Sequence, residues 1–268
     1  MTMNWLLLRG LAREQRHWHD FSDRLAARMD GANVHCVDVA GTGTEHAVLP
    51  RPSARWMASD VARRVPGLSG APRADERWSV VGLSLGGMLA LELCRMFPRQ
   101  LEVGVIVNAS SRLTSASARL RPEGAFQLLR AACSVDPLRR ERRILALTSS
   151  LSDAERERHA RRAAELAREA PTTRMAALAQ LIAASRFAPP ARGVLRARLG
   201  FICSRQDQLV SPRCTRDLAE WFGRGCDEHP WAGHDLPLDD PEWLCERVAR
   251  LAAPEGAAAT PCGDTALG

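Results

Sequence analysis

The chain has 268 residues, 46% hydrophobic and 25% charged, with 37 basic against 31 acidic side chains and a formal net charge of +6. These figures exclude collagen-like, disordered and membrane-spanning classes, and the length excludes a miniature disulfide scaffold while leaving room for a sizeable α/β core. Every basic residue is arginine, and the excess charge is concentrated: residues 112–190 hold 15 Arg against 8 acidic residues.

The first apolar run, Trp5 to Leu8, is too short for a signal segment and follows no basic residue. It reads as part of a strand, Asn4 to Leu8. Further strand-like runs follow at Asn33 to Val37, Trp78 to Val81, Val103 to Asn108 and Leu199 to Cys203. Between them lie amphipathic stretches near 15–29, 53–65, 84–97, 212–222 and 241–252. Such alternation predicts an α/β fold with a mostly parallel sheet, helices on both faces, and a ligand site beyond the carboxyl ends of the strands. From Arg112 to Pro190 the rhythm breaks and no strand-like run occurs. There, Ser152-Asp153-Ala154-Glu155 is a capping-box pattern opening a helix to about Glu169, with Glu157 and Arg161 at supportive spacing. The expected organisation is a core of residues 1–111 and 191–252, an inserted helical cap over 112–190, and a disordered tail over 253–268, rich in Ala and Gly. No stretch approaches the roughly 18 apolar residues of a membrane helix. The eight cysteines lie far apart, without a C-x-x-C pair or a histidine at zinc-ligand spacing. That pattern predicts no metal site and a reducing, cytoplasmic setting.

Chemistry concentrates at Val80-Val81-Gly82-Leu83-Ser84-Leu85-Gly86-Gly87-Met88. This is a G-x-S-x-G sequence directly after a strand run and directly before a helical one, the context in which a sharp turn exposes a serine hydroxyl. Gly82 and Gly86 are needed because side chains two residues either side of Ser84 would collide in so tight a turn. The bland alternative is a strand-to-helix turn whose serine caps the helix. A serine hydroxyl is a weak nucleophile and needs a base oriented by an acid, which on such an elbow follow in the order acid, then histidine. Asp207 lies on a loop after a strand run, with Pro212 opening the next helix, and His234 lies on a Gly-His loop before the last helix. His229 is the nearby rival of His234. Asp235 and Asp239 are set aside, because adjacency in sequence does not orient an imidazole. Acyl transfer also needs two N–H donors for the oxyanion. The amide of Leu85 follows the serine, and that of Leu11 follows Gly10 on the loop after the first strand.

With these residues in place, the sequence resembles the α/β-hydrolase superfamily from about residue 4 to 252. The matching features are the Gly10 loop, Asp38-Val39-Ala40-Gly41-Thr42-Gly43, the Ser84 elbow, the helical insertion, the acid loop and the Gly-His loop. The resemblance implies Ser84 as nucleophile, His234 as general acid and base, Asp207 as orienting acid, and no cofactor. It implies a serine carboxylic-ester hydrolase acting on a small-molecule ester. An acyl thioesterase and a non-catalytic binding protein of the same fold are the alternatives. Two positions depart from the family pattern: Arg9 stands where many relatives have His, and Ala40 where they have Pro. Arg9 is either an ion-paired support or a contact to an anionic substrate. The arginines of the insertion, Arg139, Arg140, Arg142, Arg143, Arg156, Arg158, Arg161 and Arg162, form either a solvated helix face or a docking surface for an acidic acyl carrier protein. The second reading follows a likeness to pimeloyl-carrier-protein methyl ester carboxylesterases. Nucleic-acid binding is not expected, since the basic residues are not interleaved with aromatics.

Overall fold

In the computed structural model, which describes residues 2–70 and 76–253, six strands form one sheet in the order β2-β1-β3-β4-β5-β6, every neighbouring pair parallel. The strands are β1 (Thr2–Leu8), β2 (Asn33–Cys36), β3 (Glu76–Leu83), β4 (Leu101–Val107), β5 (Arg198–Ser204) and β6 (Cys226–His229). Because successive strand residues point to opposite faces, each central strand feeds two cores. Leu6 and Leu8 join Val80 and Ile106 on one face, while Trp5 and Leu7 join Val81 and Val105 on the other. The first face packs against α2 (Ala54–Arg64), α3 (Leu85–Met96) and α9 (Pro212–Trp221). The second packs against α1 (Phe21–Arg28) and α11 (Pro241–Ala252). This is the parallel sheet covered by helices on both faces that the strand and helix alternation predicts.

Two elements differ from the sequence reading. The stretch expected as one helix over 15–29 divides into a 3-10 turn, Gln15–Trp18, and α1. His19 interrupts it at a φ of 52°, outside helical backbone space. The sixth strand is unexpected because Cys226-Asp227-Glu228-His229 has no apolar run; it is a polar edge strand held by its register with Phe201–Ser204 of β5.

Between β4 and β5 lie α4 (Ala116–Arg119), α5 (Pro122–Ala132), α6 (Pro137–Thr148), α7 (Asp153–Glu169) and α8 (Arg174–Arg186). The capping box forms: Ser152 Oγ accepts from the Glu155 amide, and the Glu155 carboxylate accepts from the Ser152 amide at 3.1 Å. One turn on, Glu157 and Arg161 pair at 2.8 Å. A short α10 (Leu236–Asp239) precedes α11. Of the tail expected to be disordered, only Ala253 lies within the described residues. Among the described residues the cysteines are all free, and no helix is long and apolar enough to cross a membrane.

Leu7 has no exposed surface, whereas Leu49 is 61% exposed. Leu7→Ala is therefore expected to lower unfolding free energy by about 2–5 kcal/mol through lost burial and a cavity. Leu49→Ala is expected to change it by less than about 0.5 kcal/mol. Urea denaturation of the two variants checks this.

Candidate active site

The loops leaving β1, β3, β4, β5 and β6 all emerge at the carboxyl edge of the parallel sheet, where such sheets bind ligands. The tightest of them is the turn from β3 into α3. Ser84 adopts φ 58° and ψ −117°, a backbone conformation that L-residues rarely occupy and that costs of order 1–3 kcal/mol. The Ser84 amide donates to Val107 O at 2.8 Å, and its carbonyl accepts from the amides of Gly87 and Met88, so strand β4 and helix α3 hold the strained residue from both sides. A Cβ on Gly82 would stand 2.1 Å from Gly86 O, and one on Gly86 would stand 2.1 Å from Leu8 O. Both neighbours are backbone, so neither contact can relax. A Cβ on Gly10 would stand 3.2 Å from the Ser84 Cβ, which shows how closely the β1 loop approaches the elbow.

Asp207 and His234, 27 residues apart, meet at 2.6 Å between Oδ2 and Nδ1. Asp207 is buried and held in place: its Oδ1 accepts from the amides of Leu209 and Val210, both at 2.8 Å. That leaves Oδ2 for the imidazole. On His234, burial disfavours the charged ring, but the Asp207 carboxylate, by charge and hydrogen bond, and the Asp235 carboxylate outweigh it and raise the pKa above the usual value. With Nδ1 occupied, Nε2 is the nitrogen left for chemistry.

Ser84, His234, Gly10, Leu11 and Leu85 all line one cavity of about 730 Å³. Among the described residues, no hydrogen bond joins Ser84 Oγ to His234, a contact that tightens in substrate complexes of such sites. Leu85 is the first residue of α3, where helix amides lack intrahelical partners and the helix dipole favours negative charge. On the β1 loop, the Ala12 amide donates to Gln180 Oε1 at 2.8 Å, so Ala12 is not the free donor there; among the described residues the Leu11 amide has no acceptor. The rest of the wall is largely apolar, with Leu83 and Met88 from the core and Leu120, Leu128, Ile144 and Ile182 from the helices between β4 and β5. Among the described residues, no three His, Cys, Asp or Glu side chains group as a metal site.

Arg9 is resolved by its partner. Its two terminal nitrogens donate to Asp235 Oδ1 at 3.0 Å and Oδ2 at 2.7 Å, both side chains are buried, and the guanidinium lies 5.0 Å from the Trp18 ring. Burial pushes the Asp235 carboxyl up, but Arg9 and then Arg13 override it and bring the pKa down to about 2. The pair therefore clamps the residue before Gly10 to the residue after His234.

The remaining candidates fall into supporting positions. Asp239 accepts from Ser149 Oγ at 2.6 Å and from the amides of Ser150 and Gly233 at 3.0 and 2.7 Å, tying the His234 loop to the end of α6. His229 is buried, 3.2 Å from Asp240, and its Nδ1 accepts from the Ala232 amide. Of the arginines in the insertion, Arg142 and Arg161 pair with Glu157, Arg156 with Asp153 and Arg162 with Glu165, while Arg140 lies 3.5 Å from Glu141. Arg143 donates to the Arg130 carbonyl and Ser134.

Sequence reasoning missed two connectors. Asn108, at φ 47°, donates to Ser204 Oγ at 3.0 Å and to His234 O at 2.9 Å, and accepts from the Ser204 amide. It joins the acid and histidine loops to β4. Its signal was an asparagine, tolerant of positive φ, ending an apolar strand. Gln180, fully buried on α8, accepts from the Ala12 amide and donates to Ala40 O at 3.0 Å. Its signal was a lone amide in the otherwise apolar run Met175 to Ala184.

The model of the alpha/beta hydrolase family matches residues 5–247. In sequence, the chain is 34% identical over 115 residues to "Putative carbamate hydrolase RutD" of Pseudomonas savastanoi pv. phaseolicola, covering 42% of this chain and 41% of that protein. The match thus spans about two fifths of the curated relatives' length. Among solved structures, the enol-lactonase from Burkholderia xenovorans LB400 is similar at a TM-score of 0.72 and 19% identity, over 94% of this chain and 91% of that one. A thermophilic esterase from Thermogutta terrifontis is similar at 0.69 and 18%, over 93% and 89%. At these identities the likeness establishes the fold and leaves the reaction to be argued from the site.

Arg9→Met is expected to destabilise the fold by about 3–5 kcal/mol, because it leaves the Asp235 charge buried and unpaired. Arg9→Met with Asp235→Leu is expected to regain most of that loss. Since the Asp235 pKa is lowered on folding, to about 2 from 3.8, its contribution is present above pH 3.8 and is lost as the pH falls toward 2. Urea midpoints of the wild type and both variants, measured across that range, check both statements.

Proposed function

We propose that this chain, which belongs to the alpha/beta hydrolase family, is a serine hydrolase that cleaves a carboxylic ester through an acyl-enzyme intermediate. In this reading residues 1–111 and 191–252 are the hydrolase core and residues 112–190 a cap over the site. One observation carries it: Ser84 lines the same cavity as His234, whose Nδ1 is held at 2.6 Å by Asp207.

The chemistry follows from that geometry. Ser84 Oγ adds to the ester carbonyl carbon as its proton passes to His234 Nε2, and Asp207 stabilises the imidazolium. The carbonyl π electrons move onto oxygen, and the resulting alkoxide takes hydrogen bonds from the amides of Leu85 and Leu11, each worth about 3–4 kcal/mol in comparable sites. Collapse of the tetrahedral adduct breaks the bond to the alcohol oxygen, which leaves with the proton from His234. Water then adds to the acyl-enzyme by the same route, releasing the acid and restoring Ser84.

The apolar lining favours an ester with a hydrocarbon acyl chain. A carbamate, the group in the name of the partial relative, would be attacked by the same residues, but a small polar molecule leaves those walls unfilled. Docking of an acidic acyl carrier protein draws less support, because Arg142, Arg156, Arg161 and Arg162 are already ion-paired within the insertion.

Hydrolysis of p-nitrophenyl esters of graded acyl length tests the proposal. The wild type should turn over, and Ser84→Ala should lose at least about 10³-fold in kcat while unfolding at the same urea concentration. Equal activity in the two would contradict it. The base must be neutral and the His234 pKa is raised, so kcat/KM should climb with pH through a midpoint above 6.5. Asp207→Asn should lower kcat and move that midpoint down.

A further inference from the structure

Among the described residues three arginines line the cavity, and two of them have carboxylate partners. Arg9 pairs with Asp235 and Arg13 with Glu141 at 2.5 Å. Arg119, at the end of α4, has none among the described residues. Its Nη2 donates to the carbonyls of Ala184 and Ser185, at 2.7 and 2.8 Å, in the last turn of α8. Those carbonyls are helix-terminal acceptors, so they fix the guanidinium in place and offset its charge only in part. Its Nε is buried without an acceptor. Nη1 makes no hydrogen bond among the described residues. Burial lowers the Arg119 pKa, the neighbouring Cys214 opposes that, and Arg112, a like charge, adds to it. A cation is thus held against the wall of a largely apolar pocket with donor capacity left over, an arrangement that an oxyanion completes.

We propose that Arg119 recognises a carboxylate carried by the substrate, so that the preferred esters are half-esters of dicarboxylic acids, in which the esterified carboxyl is attacked by Ser84 and the other is free. This assignment rests on the ester-hydrolase reading for its substrate class, and on the cavity alone for the anion contact.

The experiment separates the two. Monomethyl adipate is compared with the neutral dimethyl adipate, for wild type, Arg119→Gln and Arg119→Lys, by chromatographic assay of products. The wild type should show the higher kcat/KM on the half-ester. Arg119→Gln should lose about 10- to 100-fold on the half-ester while staying within about threefold on the diester, and Arg119→Lys should retain part of the preference. A wild type that favours the diester, or a preference that survives Arg119→Gln, overturns the assignment. Turnover of the diester by the wild type reports ester hydrolysis independently of Arg119. A second readout needs no turnover and no variant: adipate should raise the wild-type Tm more than equimolar hexanamide does. Equal shifts would overturn the assignment even if a variant failed to fold.

Discussion

Ser84 sits in a backbone conformation that an isolated chain would avoid, and the architecture around it is what keeps it there. The turn closes only because Gly82 and Gly86 carry no side chain, each packing its Cα against another backbone segment where a methyl group would stand 2.1 Å from a carbonyl oxygen. Strand β4 takes the Ser84 amide, and α3 begins on its carbonyl. A strain of order 1–3 kcal/mol is thus distributed over the two cores of the sheet, where single buried leucines contribute a comparable amount each. The same tight turn brings the β1 loop against the elbow and puts Leu85, the first residue of α3, on the cavity wall.

Around this turn, loops far apart in sequence are joined by buried polar contacts. Arg9 ties the β1 loop to the His234 loop, Asn108 ties β4 to both the acid and histidine loops, and Asp239 ties the His234 loop to α6. Gln180 reaches from α8 to the loops after β1 and β2. Each is a pairing in which removing one partner strands the other in the interior, so these contacts set position more than they add net stability. Their common effect is to fix the distance between the elbow, the imidazole and the amides of the β1 loop.

Much of this fold could be read in the sequence, because its signals are local. Apolar runs alternating with amphipathic stretches marked five strands and their crossover helices, and the glycines flanking Ser84 marked a turn that no other residue permits. Asp207 and His234 were found by their place after a strand run and on a Gly-His loop, and the structure brings them into contact. What stayed hidden was long-range. β6, three of whose four residues are polar, becomes a strand only by pairing with β5, and nothing within it signals this. Arg9 has two possible roles in the sequence, and Asp235, 226 positions away, decides between them by facing it. Asn108 and Gln180 act through hydrogen bonds to backbone distant in sequence, and no periodicity records such bonds. The run of arginines in the insertion likewise took its meaning from the carboxylates that the helices place beside it.

In the proposed mechanism Ser84 is a hydroxyl made nucleophilic by His234 and Asp207. A fluorophosphonate reacts covalently with such a serine, and peptide mass spectrometry locates the adduct. The account predicts a single stoichiometric adduct on the peptide containing Ser84, formed much more slowly in His234→Ala. A folded wild type that takes up no probe, or takes it up on another serine, would contradict it.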